Sequence, residues 1–351
     1  MIDLRFMAIL LTTFLTSFFL CYYAKGRYFL DAPNERSAHK RPTSRFGGVG
    51  IYVGVCVGYG LIWYLYGLPY MNELAILALS SFLWSVGALD DYKHMPVATK
   101  LFAQALFAAG GIWFFSLTIP LPESFSFLST PLVFFFMIAF INASNFSDGL
   151  NGLWSGTVIL WCLWVLFLSM IGGDHNGFVF LILFASIMGF FVLNFPFGKI
   201  FLGDSGSTFL GGMALLTGVC YAQTHAMGSF YMYELLLMVF SPFAFVFSDI
   251  GVTLIKRIFQ GYHPFVPHKN HFKQKLVHEI GLSHATVTAI YLLGSLLGTY
   301  LLGFRALFMA ELQMNYQSAI FIFIIIKLVF MAAVQLLSMS MGRRRSSDII
   351  L

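Results

Sequence analysis

The sequence predicts an all-α, polytopic integral membrane protein with about 11 transmembrane helices, its N-terminus outside and its C-terminus inside. Three observations predict this class. Hydrophobic residues make up 59% of the 351-residue chain and charged residues only 10%. Apolar stretches long enough to cross a bilayer recur from end to end, and backbone groups in lipid must be satisfied within their own segment, which requires helices. Lys and Arg, finally, fall almost entirely on alternate connecting segments.

The spans fall at 5–24, 47–66, 73–89, 98–117, 131–143, 153–172, 177–194, 207–223, 231–254, 285–303 and 317–338, the short fifth being extended by part of the segment after it. The first could be mistaken for a secretory signal. Its strongest charges follow the apolar stretch, however, and no small-residue cleavage pattern precedes Cys21, so it reads as a retained helix. With that span running outside to inside, seventeen of the 20 Lys and Arg lie on inner segments; Arg5 and Arg305 lie outside and Lys327 within the last span. The net charge of +5 follows from this asymmetry and marks a basic inner surface, with no nucleic-acid partner implied. Cys21, Cys56, Cys162 and Cys220 all sit in spans without C-x-x-C spacing and read as packing residues. No repeat or linker divides the chain, which predicts one transmembrane domain over 1–351.

Polar chemistry collects on the inner segments 25–46, 90–97, 142–152, 195–206 and 255–284. Asp90, Asp91, Asp148 and Asp204 each follow an apolar run at an inner helix end. Carboxylates there are costly to bury and useless as packing, so several on one face suit a divalent cation and a phosphate. Adjacent Asp90 and Asp91 raise one another's pKa unless a cation lies between them, and Lys100 opens the next span; metal ligand, proton acceptor and solvated helix end all remain open.

The segment 31–50 joins hydroxyls and a Gly-rich helix entry to cations, five of them from Arg27 to Arg45, which suits phosphate oxygens or simply a positive inner loop packed through glycines. Asn142, Asn145, Asp148 and Asn151 interrupt apolar sequence with two nearby glycines, as a polar ligand would require; the spacing is wrong for a calcium loop, and a structural turn is the alternative. In 194–208, which begins at Asn194, Asp204 lies between Gly203 and Gly206 near hydroxyls that could also be ordinary helix caps. No Gly-Lys-Ser/Thr follows, which excludes a Walker A loop. Five of the nine histidines lie in 255–284; His268 and His271, separated by Lys269, suit a diphosphate better than zinc, and membrane-surface binding is the alternative. Asp249 is a lone acid inside a span, either functional or paired with a cation such as Lys327.

Together these blocks resemble the polyprenyl-phosphate N-acetylhexosamine-1-phosphate transferase family. The shared pattern runs through the chain in order: Asp-x-Pro-Asn-x-Arg-Ser-x-His and Pro-Thr-x-x-x-Gly-Gly within 31–48, Asp-Asp at 90–91, Asn-x-x-Asp-Gly-x-x-Gly at 145–152, Phe-Leu-Gly-Asp-x-Gly-Ser at 201–207, and the His-rich segment. The resemblance implies transfer of a sugar 1-phosphate from a UDP-N-acetylhexosamine to undecaprenyl phosphate with release of UMP. It implies Mg²⁺, with Mn²⁺ as a substitute, an inner-membrane location with a cytoplasmic active site, contact with membrane lipids, and leaves a homodimer open. Asp204 would ligate the metal, with Asp90 and Asp91 helping to bind it and to deprotonate or position the lipid phosphate. Asn142, Asn145, Asp148, Asn151, Asn194 and Phe201 would line the nucleotide pocket, Phe201 stacking on uracil, while Arg45, Lys100, His268 and His271 would neighbour the phosphates. Such a reaction needs charge neutralisation and positioning more than covalent chemistry.

Two departures narrow the match. Asn151 stands where several members carry an aspartate, and His268-Lys-Asn-His271 replaces a tight His-x-His-His. The histidine variant resembles the branch that initiates O-antigen more than the phospho-MurNAc-pentapeptide transferases, which stay as the alternative within the family. An ion-coupled transporter and an inert scaffold are the alternatives outside it.

Overall fold

The computed structural model describes residues 3–31, 42–67, 71–118, 123–171, 177–225, 232–261 and 271–304. These residues are almost wholly helical. In order they form α1 (Leu4–Ala24), a two-stranded ribbon of β1 (Leu30–Asp31) and β2 (Thr43–Ser44), then α2 (Gly47–Tyr66), α3 (Met71–Tyr92), α4 (Val97–Phe115) and α5 (Ser129–Ser147). There follow α6 (Leu153–Ile171), α7 (Phe178–Asn194), α8 (Gly203–His225), α9 (Met232–Phe240), α10 (Ala244–Phe259), α11 (Phe272–His278) and α12 (His284–Gly298), which runs on into a π-helical turn at Thr299–Phe304.

Among the described residues, eight helical stretches are long and apolar enough to cross a membrane, and Phe178–Asn194 is a shorter apolar helix. Ten predicted spans coincide with these helices and with α8 and the α9–α10 pair; the eleventh, 317–338, lies outside the described residues, as do His268 and Lys327. The fifth helix reaches from Ser129 to Ser147, the polar Asn142–Ser147 stretch extending it as expected. Two details differ from expectation. The ninth span is interrupted at Ser241–Phe243 by a 3₁₀ turn, where Pro242 supplies no N–H to the α-helical ladder. The first inner segment carries the short ribbon, with Leu30 opposite Ser44 and Asp31 opposite Thr43.

The chain divides into two compact units, Met1–Leu236 and Leu237–Leu351. In the first, α8 packs against α2, α3, α5 and α6 and is buried along most of its length. Association in lipid depends on close van der Waals approach, which favours small residues. A methyl group at Gly48 of α2 would fall on the Gly206 backbone, one at Gly87 of α3 would lie 2.5 Å from the Asp204 carbonyl, and one at Gly211 would lie 2.6 Å from Ser144 Oγ of α5. Helix α8 is therefore the least lipid-like of the long helices because protein surrounds it. In the second unit, α10, α11 and α12 pack on one another.

Candidate active site at one end of the helix bundle

Within the first unit the connections bring the C-terminal end of α3, the N-terminal end of α4, the C-terminal end of α5 and the N-terminal ends of α2 and α8 together. Exposed aromatic residues mark the same end: Tyr22 and Tyr23 near the close of α1, Tyr28 just after it, and Tyr92 at the close of α3. Amphipathic rings of this kind sit at membrane–water boundaries.

Asp90, Asp91, Lys100, Asp204 and Arg45 form one cluster there. Asp90 is buried, and its two oxygens accept from the Met95 backbone N–H at 2.7 Å and from Lys100 Nζ at 3.0 Å. The same ammonium lies 3.4 Å from Asp204 Oδ2. Asp90 and Asp204 also come within hydrogen-bonding reach of each other. Like charges so placed repel unless a proton or a cation lies between them. The Asp204 side chain is 28% exposed against 6% for Asp90, so Asp204 is the carboxylate that faces outward.

Asp91 is turned the other way. It accepts from the Asp204 and Ser205 backbone N–H groups, both at 2.9 Å, and from the Ser205 hydroxyl at 2.7 Å. These are the first amides of α8, which have no partners inside the helix, so a carboxylate from α3 caps α8. The fit is close: Gly203 has φ +76°, and a Cβ there would lie 2.5 Å from Asp91 Oδ2 and 2.7 Å from the Arg45 carbonyl. The cap explains why α8 begins at Gly203, before the predicted residue 207, and fixes the backbone of Asp204.

Arg45 follows β2. Its guanidinium meets Asp31 at 2.8 Å, and its backbone N–H donates to the Phe29 carbonyl at 2.9 Å. Burial opposes the cation, but Asp31, with Asp91 and Asp204 beyond it, outweighs that and holds the Arg45 pKa above its ordinary value. With Arg45 thus paired, Asp90 and Asp204 share the Lys100 ammonium, and among the described residues the carboxylates outnumber the cations of the cluster.

The amides divide into three groups. Asn145 faces Asp204 and donates to Ser207 Oγ at 3.1 Å, placing it beside the carboxylates. Asn142, one turn earlier on α5, donates to Gln104 Oε1 at 2.6 Å and to the Ile138 carbonyl at 2.8 Å, while Gln104 donates back at 3.4 Å. This pair locks α4 to α5 beneath the cluster. Asn194 is buried and accepts from Gly152 N–H at 2.5 Å while donating to the Ile200 carbonyl at 2.7 Å, joining the 148–152 turn to the 195–202 loop. Asn151 lies against Gly198 of that loop, and Asp148 stands at the C-cap of α5, half-buried. The Phe201 backbone pairs with Ser44 and Gly47, at 2.7 and 3.0 Å, which anchors the same loop beside Arg45.

His271 belongs to the second unit, where it is buried at the N-cap position of α11. The sequence reading missed Gln104, Ser205 and Ser207. Gln104 had a signal in its position one helical turn after Lys100; the serines had none that separates them from ordinary caps.

Among the described residues no three His, Cys, Asp or Glu side chains converge as a closed metal cage. Mg²⁺ does not need one, since it keeps several waters and takes one or two carboxylates together with substrate phosphates. An outward carboxylate and a second beside it, with fewer cations than carboxylates among the described residues, fit that ion. Lys100 bridges the two carboxylates, and replacing it with Ala is expected to lower turnover by about 10²-fold with correct membrane insertion, as measured on purified protein.

This is a polytopic helical membrane protein with a carboxylate-rich cluster at one end of the helix bundle of its first unit. Comparison with known proteins gives the family. Residues 73–222 match the model of glycosyl transferase family 4, a stretch that holds Asp90, Lys100, Asn145 and Asp204. The chain is 30% identical over 320 residues to a decaprenyl-phosphate N-acetylglucosaminephosphotransferase of Mycobacterium leprae, covering 79% of this chain and 78% of that one. It is 30% identical over 274 residues to an undecaprenyl-phosphate alpha-N-acetylglucosaminyl 1-phosphate transferase of Thermotoga maritima, covering 78% and 80%. With the Escherichia coli K12 protein of the same description it shares 26% identity over 311 residues, covering 83% and 81%. The chain belongs to glycosyl transferase family 4, as its motifs implied.

Proposed function

We propose that the protein transfers N-acetylglucosamine 1-phosphate from UDP-N-acetylglucosamine to undecaprenyl phosphate, releasing UMP and leaving a lipid diphosphate sugar that begins a surface glycan such as O-antigen. The observation that carries this reading is the outward-facing Asp204, paired with Asp90 through Lys100 at one end of the bundle. The names of the relatives supply the acceptor class and the sugar. The Lys/Arg asymmetry supports a cytoplasmic site at the inner membrane.

In the reaction an oxygen of the lipid phosphate attacks the β-phosphorus of the nucleotide sugar. A new P–O bond joins the two phosphates, and the bond from that phosphorus to the bridging oxygen breaks, the electron pair leaving with UMP. Little covalent chemistry falls to the protein; it must hold the two anions in line and offset their charge. A divalent cation, when bound, neutralises charge on the diphosphate oxygens, and Asp204 with Asp90 would hold it, the Asn145 amide standing beside them. Lys100 holds the two carboxylates in place and offers its ammonium to the transferring phosphoryl group. Arg45 adds a second cation near the donor. Asp91 acts on the backbone of Asp204. Phe201, Asn151 and Asp148 would receive the nucleobase, with Asn194 setting the loop that presents them, and His268 and His271 would serve the phosphates.

Chelation tests the cation. EDTA is expected to lower UMP formation by membrane fractions by about 10²-fold or more, with Mg²⁺ or Mn²⁺ restoring it. Activity that persists in excess chelator would remove the cation from the account.

A further inference from the structure

Resting on the proposed role of His271 in the phosphate chemistry, we infer that Asp249, held by Tyr291, is a positioning residue for His271. Asp249 lies in α10 and is 1% exposed. Its partners are donors on two other elements of the same unit. Oδ1 accepts from the Phe272 backbone N–H of α11 at 3.0 Å, and Oδ2 accepts from the Tyr291 hydroxyl of α12 at 2.8 Å. Tyr291 is fully buried, and its ring meets Phe245 edge-on at 5.4 Å, with Gly294 passing close to the same phenylalanine.

The consequence falls on His271. It occupies the N-cap position of α11 in extended conformation, and its own side chain makes no capping bond. The first amide of the helix therefore needs an outside acceptor. Asp249 supplies it, and so fixes the peptide that joins His271 to Phe272. The carbonyl of His271 is held as well, by the backbone N–H groups of Gln274 and Lys275 at 3.0 and 3.1 Å. Both sides of the Cα are thus anchored, and the imidazole keeps only its own torsions. Precise placement of a reacting group requires this kind of support beneath it.

Two measurements on the full-length protein in detergent test this. Amide exchange reads the contact directly: at Phe272 it is expected to be slow in wild type and about tenfold or more faster in Asp249→Ala, with Asp249→Asn, whose amide oxygen still accepts, between the two. Unchanged exchange at Phe272 overturns the proposal, whatever the protein catalyses. Kinetics read the consequence. Asp249→Ala is expected to lower kcat for UMP release from UDP-N-acetylglucosamine by about tenfold or more while KM moves less than about twofold, and to lower it by less than about twofold when His271→Ala is already present. An equal loss in both backgrounds overturns the proposal, because Asp249 would then act independently of His271. A wild type that shows the Phe272 protection but releases no UMP counts against the proposed reaction and leaves the contact established, so the two failures are distinguishable.

Discussion

Asp204→Asn is expected to reduce sugar-phosphate transfer by about 10³-fold or more, because it removes the carboxylate that faces outward from the cluster. The same variant is expected to fold at least as well as wild type when divalent cations are absent. Asp90 and Asp204 sit within hydrogen-bonding reach and share one Lys100 ammonium, so neutralising one of them relieves repulsion. Functional sites often store instability of this sort, and losing it raises stability at the expense of activity. Purified protein in EDTA, followed by thermal unfolding alongside an activity assay, checks both parts. A large fall in unfolding temperature would show that Asp204 is a structural partner instead.

Asp91→Asn is expected to behave in the opposite way. It accepts three hydrogen bonds from the start of α8, two of them from backbone amides without another helical partner. Asparagine offers one oxygen and turns two N–H donors toward groups that themselves donate. The expected cost is about 2 kcal/mol of stability in the cation-free protein, with turnover lower by about 10²-fold as the Asp204 backbone drifts. Unfolding in EDTA separates the neighbouring aspartates by sign: Asp91→Asn falls where Asp204→Asn does not. If Asp91→Asn were instead neutral or stabilising without cation, Asp91 would be acting as a ligand and the cap would not govern α8.

These two residues show what the sequence made legible. Hydropathy and the lipid requirement for internal hydrogen bonding located the helices, because both are local properties of a 20-residue window. Helix α8 is an instructive case. Its glycines and serines read as a polar boundary followed by a shorter span, yet they are the surface on which α2, α3 and α5 approach. That Asp90, Asp91 and Asp204 belong together was legible because a membrane edge leaves few other uses for carboxylates. Their division of labour was not. Asp91 and the Asp204 backbone N–H that donates to it are 113 residues apart, and nothing in the Asp-Asp pair says which side chain faces a ligand and which faces a helix.

Amide side chains were harder still. Asn142, Asn145 and Asn194 were all expected to line a pocket, the first two on composition and Asn194 on the family resemblance. The structure gives Asn142 to Gln104, Asn194 to two loop backbones, and Asn145 to the carboxylates. An amide can satisfy a ligand or a backbone equally well, and only tertiary contacts decide between them. The Pro242 break and the 30–31/43–44 ribbon belong to the same class, since each depends on what neighbouring segments supply.

The identity of the nucleotide product tests the central claim most directly. Purified protein given UDP-N-acetylglucosamine, undecaprenyl phosphate and Mg²⁺ should release UMP in step with formation of a lipid-linked diphosphate sugar, each requiring the lipid acceptor. Release of UDP in place of UMP would mean transfer of the sugar without its phosphate, and would contradict the phosphoryl chemistry assigned to Asp204, Asp90 and Lys100.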